Sequence, residues 1–271
     1  MFNRIINNSR IAALWQYRTF ILASVRREFQ LKYQNSILGA LWTVLNPLAM
    51  IVIYTVIFSQ VMKAKLPEND SIYAYSVYLC AGIIAWGLFS EIIGRCQNLF
   101  LENANVLKKL SFPRLTLPII VVLSALLNFS IIGGIFLAFL VLTGQLVGWS
   151  ILYVIPVLAI QLLFAIGLGM SLGILNVFFR DVGHLFTIVM QFWFWLTPIV
   201  YPSAILPDIV RSIIMTWNPM AAIIAAYQTI FVYGTPPDWN SLIIPLISGF
   251  AVLFLGLHLY RKHAHEIVDE L

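Results

Sequence analysis

His184 to Pro202 reads HLFTIVMQFWFWLTPIVYP, an apolar segment of membrane length with four consecutive aromatics, Phe192, Trp193, Phe194 and Trp195, closed by two prolines and preceded by Arg180 and Asp181. Contact with lipid alone would be met by Leu and Ile. Aromatic faces add stacking on apolar surfaces, the faces of sugar rings among them. The segment therefore reads as a wall along which something moves.

Outward from this segment the chain repeats the apolar theme. Six stretches approach the length of about 20 residues that a bilayer requires. They are Ile37 to Val61, Tyr73 to Ile93, Leu117 to Leu142, Ile151 to Asn176, the shorter His184 to Val200, and Leu242 to Tyr260. Over 271 residues, 61% are hydrophobic and 10% charged, far below the roughly 25% charged of soluble domains. The chain is an integral membrane protein of all-α class. Its net charge of +5 does not point to nucleic acid, because the basic residues flank apolar stretches and no nucleic-acid motif accompanies them. Thirteen of the 16 Lys and Arg fall on one side of a six-span arrangement, against Lys63, Lys65 and Arg211 on the other. The positive-inside rule then puts both termini in the cytoplasm. Some 35 residues precede the first stretch, which is expected to act as an uncleaved anchor rather than a secretory signal.

Two amphipathic elements lie on the basic side. From Ser9 to Lys32, Leu14, Ile21, Val25 and Phe29 share a face while Arg18, Arg26, Arg27 and Lys32 occupy others, the pattern of a helix in the headgroup plane. Periodicity leaves open whether it only anchors the chain or docks a partner. From Gln97 to Leu110, Phe100, Leu107 and Leu110 oppose Glu102, Asn103 and Asn105, with Lys108 and Lys109 in the last turn. A short polar helix between two spans is a contact point for a cytoplasmic protein. On the opposite side, residues 201–240 are rich in Pro, Trp and Tyr around an apolar run, Met220 to Val232, too short to cross. They read as re-entrant or interfacial helices turning at Trp217, Asn218 and Pro219, forming either an outer gate or an aromatic interface belt.

Ionisable residues near the spans are few. Glu91 and Arg95 stand at helical i,i+4 spacing, a structural pair rather than a proton relay, which would show several carboxylates or histidines deep in the bundle. Arg180 and Asp181 are expected to cap the turn between the fourth and fifth spans. Gly167, Gly169 and Gly173 form a small-residue face for close helix packing. Cys80 and Cys96 are about 24 Å apart along one helix, too far to bridge. No phosphate loop, HExxH or CxxC motif is present, and the four histidines form no metal-binding or nucleophile–base pattern. The chain carries no energy source of its own, and a membrane-embedded glycosyl- or acyltransferase would need acid–base residues that are missing.

Four segments, QLKYQNSILGALWTVLNPL (Gln30 to Leu48), ENANVLKKLSFPRLTLP (Glu102 to Pro118), FRDVGHLFTIVMQFWFWLTPIVYP (Phe179 to Pro202) and NPMAAIIAAYQTIFVYGTPPDW (Asn218 to Trp239), resemble in order the transmembrane subunits of ABC-2 type exporters. Among these the resemblance is to the Wzm-like permeases of O-antigen export and their capsule and teichoic acid relatives. It implies a homodimer of six-span subunits in the bacterial inner membrane, docked to two copies of a cytoplasmic ATPase that holds the ATP and Mg, and moving an undecaprenyl-linked polysaccharide outward. No cofactor and no metal would be bound by this chain.

The same resemblance implies residues 1–35 as an interface element and 36–271 as the transmembrane domain. Glu102, Asn103, Asn105, Lys108 and Lys109 would lie in the coupling helix, with Lys32 and Tyr33 ending the interface helix. The first, second and fifth spans would line the channel. Trp42, Tyr54, Phe58, Trp86, Phe89, Phe192, Trp193, Phe194, Trp195 and Tyr201 are the candidate aromatic path, each stacking contact worth about 1 kcal/mol, enough to guide a sliding sugar chain and weak enough to release it. The alternative is that they pack between helices. An ABC-2 permease for a small drug or lipid would share the architecture with a different cargo.

Overall fold

A computed structural model describes residues 16–32, 38–61, 66, 71–109, 115–263, 266 and 270. These residues are almost wholly helical. The chain runs through α1 (Arg18–Lys32), α2 (Trp42–Tyr54, continued as a π-helical turn over Thr55–Val61), α3 (Ala74–Glu102), α4 (Ala104–Lys109) and α5 (Thr116–Leu142). It continues as a 3-10 turn (Gly148–Tyr153) into α6 (Val154–Phe178), then α7 (Asp181–Leu196), α8 (Asp208–Trp217), α9 (Pro219–Gln228, continued as a π-helical turn over Thr229–Tyr233) and α10 (Ile243–His263). The start of the amphipathic stretch, 9–15, and Tyr33 lie outside the described residues.

Among the described residues five helical segments, those built on α2, α3, α5, α6 and α10, have the length and apolar composition to cross a membrane. The fifth expected span appears as α7, whose 16 residues extend only about 24 Å, short of a bilayer core of about 30 Å. The non-helical run 197–202 follows it. α8 and α9 occupy the region expected to hold re-entrant or interfacial helices, and form a pair bent by 97° at Asn218.

One boundary differs from the sequence reading. α3 runs unbroken to Glu102, so Gln97 to Glu102 belong to the span, and the separate helix before the next span keeps only Ala104–Lys109. No glycine or proline lies from Gln97 to Glu102, and the first break is Asn103, which leaves helical geometry at φ −101° and ψ 13° and whose side-chain amide donates to the Leu99 carbonyl at 2.8 Å. Asn is suited to that break because its amide competes for backbone partners.

α3 is the hub: 72% of its apolar stretch is buried, against 17% to 28% in the other four spans. Between helices in lipid, association comes from van der Waals fit and hydrogen bonds rather than water exclusion, and small residues allow the closest approach. α6 uses its glycines on two faces. Gly169 and Gly173 lie against Cys96 of α3, where a Cβ at 173 would sit 2.4 Å from the Cys96 carbonyl oxygen. Gly167 lies against α10, where a Cβ would sit 2.3 Å from the Leu253 nitrogen, and Gly256 of α10 faces the Gly167 carbonyl in return.

Candidate functional site

The aromatic run of α7 divides by helical geometry, which sends residues three apart to one face. Phe192 and Trp195 are 67% and 64% exposed and point away from the bundle. Trp193 and Phe194 turn inward. Trp193 lies 5.4 Å from Phe89, 6.3 Å from Trp86 and 6.1 Å from Phe164 between ring centroids, all edge-to-face. Phe194 meets Trp86 at 5.7 Å, and Phe89 stacks on Phe164. Trp86 and Phe89, candidates either for the channel path or for packing between helices, are buried in this cluster because α3 is enclosed by α6, α7 and α9. For these four residues the structure gives interhelical packing.

Trp42 is exposed on α2, while Tyr54 and Phe58 begin a second aromatic series. Phe58 stacks on Tyr75 at 5.2 Å and Tyr75 meets Tyr78 at 6.0 Å. This series clamps the non-helical run after α7. The Tyr75 hydroxyl donates to the Val200 carbonyl at 2.8 Å, and the Tyr78 hydroxyl lies within 3.1 Å of the Pro198 and Tyr201 carbonyls. Gln228 Nε2 also donates to the Pro198 carbonyl, at 3.2 Å. Tyr201 itself returns a hydrogen bond to the Trp195 carbonyl at 2.7 Å. Non-helical backbone near membrane depth must find such partners, since lipid offers none. Asn218 ties the bend to α7: its Oδ1 accepts from Trp193 Nε1 at 2.8 Å and from the Met220 amide at 3.1 Å, capping α9. Nothing in the sequence singled out Tyr75, Tyr78 or Gln228. Asn218 was legible as a turn residue, but its hold on Trp193 was not.

At the opposite end α1 lies across α5, burying Ile21 and Val25 against Ile120. The expected pair of Glu91 and Arg95 is present but loose, at 4.0 Å. The closer partner of Arg95 is Glu28 of α1, at 2.6 Å. Periodicity within one helix could not find it, because Glu28 is 67 residues away. α5 supplies two further groups: Ser124 donates to Glu28 at 2.7 Å and Asn128 to Glu91 at 2.8 Å. Neither was singled out from the sequence, although their i,i+4 spacing in a largely apolar span is a signal that could have found them.

Glu102, Asn105 and Lys108 are exposed around α4 and Asn103 is half-buried. Lys32 and Lys109 close α1 and α4. Arg180 precedes α7 and Asp181 occupies its first turn, where a carboxylate complements the helix dipole. No ion pair among the described residues joins the two, since adjacent side chains on a helix do not face each other. The base of α7 is held instead by Gln97 and Asn176. Gln97 Nε2 donates to the Gly183 carbonyl at 2.9 Å, and the Gly183 amide donates to Asn176 Oδ1 at 2.9 Å.

The structure is a multi-pass helical bundle with a short helix at one end, a clamped bend between α8 and α9 at the other and an exposed aromatic face on α7. Its sequence is 29% identical over 262 residues to the O-antigen export system permease protein RfbA of Myxococcus xanthus, covering 96% of this chain and 98% of that protein. It is 30% identical over 252 residues to RfbA of Klebsiella pneumoniae, covering 93% and 94%. The polysialic acid transport protein KpsM of Escherichia coli is 22% identical over 247 residues, covering 89% and 92%. The family model for the ABC-2 type transporter matches residues 19–232, most of the helical bundle described above, and the chain belongs to that family.

Proposed function

We propose that this chain is the membrane-spanning subunit of an ATP-driven exporter that carries an O-antigen-type, lipid-linked polysaccharide across the bacterial cytoplasmic membrane. The observation that carries the reading is its near end-to-end likeness to two permeases named for O-antigen export. In this reading two copies pair, both termini are cytoplasmic, and two separate ATPase subunits dock against α1 and α4. The exposed face of α7, with Phe192 and Trp195, and the exposed Trp42 of α2 border the path of an undecaprenyl-linked glycan. The re-entrant pair α8 and α9 is its outer gate. Likeness to KpsM supports a second reading, a capsule-type polymer carried by the same mechanism.

A deletion strain tests both, because the surface polymer that disappears names the cargo. Complementation with wild type should restore it. The variant Asn105→Ala with Lys108→Ala removes two exposed side chains of α4, leaves the Asn103 turn intact, and should lower both ATPase association and surface glycan. Undiminished surface polymer in the deletion strain, with no ATPase recovered alongside the purified protein, would remove the exporter reading.

A further inference from the structure

Five polar side chains meet where α1 crosses α3 and α5, and the transport reading above uses none of their geometry. One guanidinium, Arg95, stands between two carboxylates: Glu28 of α1 at 2.6 Å and Glu91 of its own helix at 4.0 Å. α5 presents one donor to each carboxylate, Ser124 to Glu28 and Asn128 to Glu91, one helical turn apart. All three charged side chains are between a quarter and two fifths exposed. Glu28 belongs to α1, whereas Arg95 and Glu91 move together with α3.

We infer that Arg95 is a two-position coupling residue, holding α1 to α3 through Glu28 and passing to Glu91 when α1 moves away. Separating a half-buried guanidinium from its one partner would leave both charges poorly solvated. The second carboxylate removes that penalty for Arg95, and Asn128 holds it in place to receive the charge. Ser124 remains to satisfy Glu28 until it reaches water. The exchange has room. One cavity of about 400 Å³ is lined by Glu28, Glu91, Arg95, Ser124 and Asn128. A second, also about 400 Å³, is lined by Arg27, Glu28, Arg95, Glu102 and Asn103. The second cavity runs from α1 past Arg95 to the Asn103 turn that leads into α4. The inference rests on the proposed docking of the ATPase for what moves α1, but not for the handover itself.

A fixed salt bridge and a two-position residue differ in what Glu91 does. At 4.0 Å from Arg95, Glu91 contributes little to a fixed bridge, and Glu91→Gln should then behave as wild type. For a handover, Glu28→Gln sends Arg95 to Glu91 and frees α1, so ATP hydrolysis persists while glycan exported per ATP falls on the order of tenfold, within the usual range of coupling between sites. Glu91→Gln leaves Arg95 no second position, so hydrolysis and export fall together. Both changes are isosteric, and membrane yield and gel-filtration profile report any failure to fold. The experiment reconstitutes the full chain with its ATPase in proteoliposomes and adds a spin-label distance between Leu22→Cys on α1 and Gly94→Cys on α3. Leu22 is exposed, and a Cβ at 94 meets nothing within 4 Å. The expected distance is narrow in wild type without nucleotide, broad in Glu28→Gln, and narrow with or without nucleotide in Glu91→Gln. Glu91→Gln matching wild type in hydrolysis, export and distance would overturn the handover. Wild type that hydrolyses ATP but moves no glycan would sink the exporter reading alone, with the distances still deciding the handover.

Discussion

Replacing Gly173 by Ala tests whether the α3–α6 contact sets the stability of the bundle. The added Cβ would lie 2.4 Å from the Cys96 carbonyl oxygen, 3.4 Å from its carbon and 3.6 Å from Phe100 Cδ2. An ordinary carbon–oxygen contact needs about 3.3 Å, so the helices must part by close to 1 Å along the line of contact. The obstacle is backbone, which cannot turn aside as a side chain can. Overpacking of this kind costs about 1–3 kcal/mol, and 2 kcal/mol is roughly a 30-fold change in the unfolded fraction. Gly133 supplies the control, because a Cβ there meets nothing within 4 Å and Ala in a helix is favoured over Gly by about 1 kcal/mol. Thermal unfolding of the detergent-solubilised protein, followed by loss of the monodisperse peak, should place Gly173→Ala well below wild type and Gly133→Ala at or above it. Equal midpoints for the two variants would refute the argument that backbone contact at Gly173 holds α6 to α3.

Gly167→Ala should destabilise comparably, because its Cβ would lie 2.3 Å from the Leu253 nitrogen on α10, and the same melting assay reads it. Asn218→Ala removes the α9 cap and the bond to Trp193 and should cost about 1–2 kcal/mol, with faster proteolysis in the 201–240 region as the check. Trp193→Leu should lower the melting midpoint by several degrees through loss of the aromatic cluster, whereas Phe192→Leu, at an exposed position, should leave it unchanged while slowing glycan export. Cys80 and Cys96 are 0% and 1% exposed, so maleimide should label neither until the protein is unfolded, as mass spectrometry would report.

The spans were legible because each is a long apolar run, and the end of α5 at Leu142 was read to the residue. Helix ends were less so where polarity and helicity part company. Gln97 to Glu102 looks like a new amphipathic element by composition, yet nothing there breaks a helix and Asn103 does. The four aromatics of α7 were visible as a group, but only the helix's rotation decides that Trp193 and Phe194 face α3 while Phe192 and Trp195 do not. Sequence spacing reports neighbours within one helix, which found Glu91 beside Arg95. It could not report Glu28, whose proximity depends on how α1 lies across two other helices. The clamp on residues 197–202 was hidden for the same reason, since Tyr75 and Tyr78 precede it by more than 100 residues.

The unbroken run of α3 gives the molecule a lever. Its 29 residues make a rod of about 43 Å, longer than the bilayer core is thick, and its tightest contact with α6 falls at Cys96. From that point the rod extends about 10 Å to the Asn103 turn and about 33 Å to Ala74. A rod tilting about Cys96 would convert a 1 Å displacement at the short arm into about 3 Å at the far end, where Tyr75 and Tyr78 grip the non-helical run. In that case a small push beside α4 would be geared up at the opposite end of the rod, with no change in the internal hydrogen bonds of the helix that carries it.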